Sequence, residues 1–134
     1  MGSYATMGFV GGCAPIIKDF REWLNKPKEV GHKFVRKLEA RRVEIDDSGM
    51  TREEMEEKAS SLWKSGEGAV KTKVYLLVLR QKYDRYMIVY RTPGKGGKYV
   101  TRLKTEFSDD DDIDAVTILQ FMLDAAINDP RTFG

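Results

Sequence analysis

The stretch VYLLVLRQKYDRYMIVYRTPGKGGKYVTRLKTEF, residues 74–107, decides the fold. Val74 to Leu79 and Tyr86 to Tyr90 are continuous apolar runs rich in β-branched and aromatic residues, bounded by polar turns. Such runs predict strands covered on both faces or nearly so. Gln81-Lys82-Tyr83-Asp84-Arg85 is short enough to close a hairpin between them. Thr92-Pro93-Gly94-Lys95-Gly96-Gly97-Lys98 is a second, flexible turn. Tyr99 to Phe107 then sets Tyr, Thr, Leu and Thr against Val, Arg and Lys, the alternation of a half-exposed strand. Together they predict a three-stranded antiparallel meander.

Helices are expected on both sides of it. Downstream, Ser108 is placed to cap a helix with Asp111 at N3, and the aspartates Asp109 to Asp112 suit its positive dipole end. From Ile113 to Ile127 that helix is apolar almost all round, so it must be buried deeply or shared with a partner. Asn128-Asp129-Pro130 stops it. Upstream, Thr51 and Glu54 have capping-box spacing, and Met50 and Met55 stand where a hydrophobic staple would place them. Met55, Ala59, Leu62 and Trp63 form the buried stripe, and Ser65-Gly66-Glu67-Gly68 closes the helix. Earlier still, Pro15 suits a first helical turn. Ile16, Ile17, Phe20, Trp23 and Leu24 then recur on one stripe until Asn25-Lys26-Pro27. Between Val30 and Ile45 the signal is mixed: Phe34 and Leu38 suit a helix, Val43-Glu44-Ile45 a short strand. The expectation there is a helix passing into an extended piece.

The resulting fold class is α+β, with N-terminal helices and a three-stranded meander covered by a C-terminal helix. Residues 1–14 are expected to be flexible and residues 15–134 to form one domain. Within it, 15–48 is a helical extension and 49–128 an αβββα-like core. A chain of 134 residues, 41% hydrophobic and 33% charged, suits one such core and no more. No apolar run approaches the ~20 residues of a membrane-spanning helix, and no signal peptide is evident, so a cytoplasmic location is expected.

Several chemistries are excluded by count. One cysteine, Cys13, rules out an internal disulfide framework and a cysteine-based zinc cluster. The single histidine, His32, removes the usual metal and general-base constellations, and no third group or oxyanion motif accompanies a Cys13–His32 dyad. Gly94-Lys95-Gly96-Gly97-Lys98 lacks P-loop spacing and leads into a strand instead of a helix. Asp110, Asp112 and Asp114 mimic the first calcium ligands of an EF-hand, but Ala115 replaces the required glycine and Phe121 the bidentate glutamate. No enzyme activity, metal, cofactor or small-molecule substrate is therefore expected.

Charge is segregated along the chain. Residues 69–105 carry ten cations and one acid, Asp84, for +9, whereas residues 106–134 carry eight acids and one cation, for −7. Five of the six tyrosines, Tyr75, Tyr83, Tyr86, Tyr90 and Tyr99, lie inside the basic segment. Cations interleaved with aromatics on a sheet suit RNA or single-stranded DNA, because phosphates need positive charge and splayed bases need flat faces. Lys71, Lys73, Arg91, Lys95, Lys98, Arg102 and Lys104 are the candidate phosphate contacts, with Tyr83 and Tyr99 as stacking surfaces. The competing explanation is a solvated sheet face, or neutralisation by the acidic C-terminal segment.

A second function is structural: a virus-like matrix, accessory or adaptor protein that oligomerises through Ile118, Phe121 and Met122 of the last helix. Its basic sheet would then meet an anionic membrane or an acidic protein. Met1-Gly2-Ser3-Tyr4-Ala5-Thr6 fits an N-myristoylation pattern with Gly2 as acceptor. Met1-Gly2-Ser3 is also a common cloning remainder, with Met7 as an alternative start.

The order helix, strand, strand, strand, helix over residues 50–127 is similar to that of double-stranded RNA-binding domains and of the Alu-binding proteins of the signal recognition particle. The first resemblance implies lysines gripping phosphates at the start of the last helix. Asp109 to Asp112 stand there instead, and would repel RNA. The second implies binding through the sheet face, which tolerates an acidic helix.

Overall fold

The computed structural model describes residues 4–10, 13–46, 49–108 and 114–133. Five strands, β1 (Tyr4–Val10), β2 (Lys33–Asp46), β3 (Val70–Arg80), β4 (Arg85–Pro93) and β5 (Tyr99–Ser108), form one antiparallel sheet in chain order. Helix α1 (Cys13–Leu24) follows β1, α2 (Arg52–Ser65) follows β2, and α3 (Ala115–Ile127) follows β5. Lys95–Gly97 and Pro130–Thr132 are short 3-10 turns. The class is α+β, and the expected meander of β3, β4 and β5 is present with its hairpin and its second turn.

The N-terminal third departs from expectation. Residues 33–46 are a continuous strand, not a helix running into an extended piece, and Tyr4–Val10 pairs with it along its second half. The spacing that suggested a helix, Phe34 to Leu38, is four residues, and four is a whole number of strand repeats as well as about one helical turn. Phe34 and Ala40 are buried on one side of β2, Val43 and Ile45 on the other. Because β2 pairs with β3, the sheet continues past the meander, and an αβββα unit does not close on itself.

Two packed clusters follow from the period-2 pattern. On one face, Phe34, Val74, Leu76, Val78, Ile88, Tyr90 and Phe107 meet Ile16 and Phe20 of α1 and the buried stripe of α3, including Leu119, Met122 and Leu123. Phe20 is completely buried, with its ring 5.6 Å from that of Phe34 and 6.3 Å from that of Trp23. The last carbonyls of α1 are satisfied by Lys28, whose Nζ donates to the oxygens of Trp23 and Leu24 at 2.8 Å. On the opposite face, Val43 and Ile45 at the far end of β2 pack against Ala59 of α2, with Leu62 and Trp63 alongside.

The boundaries of α2 are those the sequence predicts. The Thr51 side chain accepts the Glu54 amide at 3.2 Å, and Gly66 adopts a left-handed cap with φ 72 while its N–H donates to the Leu62 carbonyl. For α3 the boundary moves. Ser108 ends β5, and Asp114 is the N-cap, its carboxylate accepting the Val116 amide at 3.1 Å. Asp109 to Asp112 lie outside the described residues. Among the described residues, no helix is long and apolar enough to cross a membrane.

Candidate functional site

Helices α1 and α3 pack on one face of the sheet; on the other, α2 meets the end of β2, and among the described residues no other helix packs there. The strand register sets what the rest of it displays. Lys37, Tyr75, Arg91 and Thr101 form one row across β2 to β5; Val35, Leu77, Val89 and Lys104 form the next. On the other side of the first row, Glu39 pairs with Lys73, and Arg41 with Lys71. Lys37, Lys71, Lys73 and Lys104 are exposed, and Arg91 and Tyr75 are partly so. Their outward orientation is forced by the buried alternate positions of the same strands, Val74, Leu76, Val78, Ile88 and Tyr90.

Tyr75 and Tyr99 stand together at the centre of this basic area. Their rings lie 6.0 Å apart at 55°, and Tyr99 is 40% exposed. The Arg91 guanidinium sits 5.9 Å from the Tyr75 ring centroid and donates to the Thr101 hydroxyl at 3.2 Å, which fixes it over the aromatic face. At the edge, Arg41 is paired with Glu39 at 3.0 Å and lies 5.6 Å from the Trp63 ring. Among the described residues, Lys37, Lys71, Lys73, Arg91 and Lys104 take part in no ion pair. Leu77 and Val89 point to this face but are buried, 8% and 2% exposed, and belong to neither helix-packed cluster, so the face is open at its lysine and Tyr99 positions and not at these two.

The expected site residues do not all converge. Lys71, Lys73, Arg91, Tyr99 and Lys104 share the open face. Tyr83 does not: it is 88% exposed, but it sits in the β3–β4 hairpin, at the opposite end of β4 from the Lys95–Lys98 turn. At ~3.3 Å per residue, the length of β4 separates the two ends by roughly 30 Å. Arg102 also leaves the face. The β4–β5 register shifts between Tyr90, opposite Leu103, and Arg91, opposite Thr101, so Arg102 is the extra residue of a β-bulge. Its Nε donates at 2.8 Å to the hydroxyl of Thr92, which is fully buried. Lys95 and Lys98 are exposed in the turn itself.

Of the expected protein contacts on α3, Met122 is 3% exposed and belongs to the core, Ile118 is partly buried against it, and only Phe121 is free, at 75%. Burial of its sheet-facing stripe accounts for most of the apolar character of α3. Gly2 lies outside the described residues. Lys37 and Tyr75 join this face, and pattern alone did not single them out. Lys37 sat in a segment read as helix, and Tyr75 was one of five tyrosines with nothing to separate it from the others. The signal for Tyr75 was its odd position beside the inward Val74 and Leu76.

Among the described residues no cluster of histidine, cysteine or acidic side chains could hold a metal ion. A depression of about 400 Å³ beside α1 contains Lys28 and Arg80, but Lys28 is bound to helix carbonyls and Arg80 to Asp84 at 2.5 Å. No family model matches the chain, and no curated protein or solved structure matches it significantly.

Proposed function

We propose that the chain is a non-enzymatic binding module that holds single-stranded nucleic acid, RNA or DNA, against the open face of its sheet. The observation that carries this is the Tyr75–Tyr99 pair, Tyr99 exposed and Tyr75 partly so, beside cations that make no ion pair among the described residues, with Arg91 fixed at its side. Rings 55° apart cannot sandwich one base between parallel faces, but each offers a surface on which a splayed base can stack. Lys71 and Lys73, alternate residues of β3, are separated by ~6.6 Å along the strand and meet a backbone running beside them. Such contacts position a strand without reading its sequence.

The test is fluorescence anisotropy with labelled single- and double-stranded RNA and DNA of equal length. Saturable binding that prefers single strands and weakens steeply with salt supports the function; equal affinity for duplex and single strand removes the stacking role. Absence of binding at low salt overturns it. Assembly through α3 is then the function left, supported by Phe121 alone, with the open face turned to an anionic membrane or an acidic protein.

A further inference from the structure

The bulge that takes Arg102 off the open face aims it into a depression of about 470 Å³ lined by Gly94, Lys95, Val100, Arg102, Pro130 and Arg131. We infer that this depression binds a phosphomonoester carried on a small organic body, of the kind presented by a nucleoside monophosphate or by the phosphorylated end of a strand. It does not depend on the open-face function, since none of the open-face cations lines it.

The charge balance fits a dianion. Lys95, Arg102 and Arg131 contribute three positive charges, and among the described residues Asp129, beside Arg131, is the acid that answers them. Arg102 spends Nε on the Thr92 hydroxyl and Nη2 on the Pro93 carbonyl at 3.4 Å, both neutral acceptors, so among the described residues it makes no ion pair, although Asp129 is near enough to feel its charge. Arg131 is gripped side-on by Asp129, with Nε at 3.0 Å from Oδ1 and Nη2 at 2.5 Å from Oδ2. Both guanidiniums keep Nη1 uncommitted among the described residues, and a planar fork with free N–H groups is matched to phosphate oxygens. The Arg131 hydrogen bonds pull the Asp129 carboxyl down from 3.8 to about 2, in keeping with the bidentate grip that holds the guanidinium in place.

Shape supplies the rest. Val100 and Pro130 give it apolar sides, and the depression, though wide open to solvent, has room for more than a lone phosphate. Gly94 has no room for a side chain: a Cβ there would lie 2.5 Å from Cγ2 of Val100, a β-branched residue with little rotamer freedom to yield. Both the extra residue in β5 and the glycine in the turn thus shape this corner.

Isothermal titration calorimetry with adenosine 5′-monophosphate, adenosine and inorganic phosphate at low salt tests it. The expected result is saturable binding of the monophosphate, at least tenfold tighter than adenosine or inorganic phosphate. Arg131→Ala and Lys95→Ala, both at exposed positions, should each weaken it about tenfold, whereas Lys73→Gln on the open face leaves it unchanged. A 5′-phosphorylated hexanucleotide that binds tighter than its 5′-hydroxyl counterpart, with the difference abolished by Arg131→Ala, identifies a strand end as the source. Equal affinity of the two, with the monophosphate still bound, identifies the free nucleotide. No heat with the monophosphate, or binding untouched by Arg131→Ala and Lys95→Ala together, overturns the site. Loss of strand binding in Lys73→Gln with the monophosphate affinity intact bears on the open face only.

Discussion

Replacing Lys73 and Lys104 together by glutamine isolates the electrostatic part of the proposed interface. Lys73 lies on β3 and Lys104 on β5, two strands apart, and their rows are separated by two strand repeats. At ~4.8 Å between strands and ~6.6 Å per repeat, the two backbone positions are roughly 16 Å apart. That exceeds the ~8 Å screening length at physiological ionic strength, so the two charges act on separate phosphates and their effects add. Each single-strand phosphate contact contributes ~0.7 to the slope of log affinity against log salt. Five open-face cations therefore give a slope of about −3.5, and the double variant about −2.1. Between 50 and 200 mM salt the wild type should lose ~130-fold in affinity and the double variant only ~20-fold. Anisotropy titrations at four salt concentrations measure both slopes. A double variant that binds with the wild-type slope refutes the placement of the strand on this face.

Other outcomes test individual residues. Tyr75→Ala and Tyr99→Ala should each weaken single-strand binding by ~1–3 kcal/mol, roughly 5- to 150-fold, if one base stacks on each ring; Tyr83→Ala, at the far hairpin, should leave the same anisotropy curve unchanged. Phe20→Ala removes a fully buried ring from the α1–sheet contact and should cost ~3–5 kcal/mol in urea unfolding; a loss below 1 kcal/mol would mean that α1 does not pack as described. Asp129 has a lower pKa in the folded chain than the ordinary 3.8, so its contribution to stability is complete above that value and is lost as pH falls through about 2. Thermal melts should show the wild type ahead of Asp129→Asn at pH 5, with the gap closing toward pH 2.

How much of this was legible depends on which period a stretch could satisfy. The meander was readable because Val74–Leu79 and Tyr86–Tyr90 are short and β-branched, and because glycines stand where the second turn needs positive φ, 75 at Gly96 and 78 at Gly97. Helix α2 was readable because its ends carry their own chemistry, Thr51 with Glu54 at one and Gly66 at the other. Strand β2 was not, because its apolar residues change face midway: Phe34 and Ala40 serve α1 and α3, Val43 and Ile45 serve α2. A strand that feeds two cores breaks simple alternation, and Phe34–Leu38 then imitates a helical turn. The start of α3 was misplaced for a related reason, since Ser108 and Asp114 are both competent caps and nothing local ranks them. Arg102 was placed with the other cations because a bulge leaves little mark in composition.

Linear charge density is a poor guide to a patch on a sheet, since alternate residues of a strand part company. Four cations of the basic segment, Lys71, Lys73, Arg91 and Lys104, share a face because the core chooses its parity: Val74, Leu76 and Val78 on β3 and Ile88 and Tyr90 on β4 must point to α1 and α3, which sends Lys71, Lys73, Tyr75 and Arg91 the other way. A one-residue slip would bury the cations and expose the core, so a single register sets both. The charge of this face and the stability of the fold are nevertheless separable. The exposed lysines contribute nothing to the packed clusters, and their replacement by glutamine should alter unfolding free energy by no more than ~0.5 kcal/mol. Arg102 is the exception that supports the rule. It is basic, yet its guanidinium bonds a buried threonine and the Pro93 carbonyl, so Arg102→Gln should lower the melting temperature where Lys73→Gln does not. Equal melting temperatures for the two variants would mean that the bulge is solvated and Arg102 free, and the phosphate pocket would lose its fixed cation.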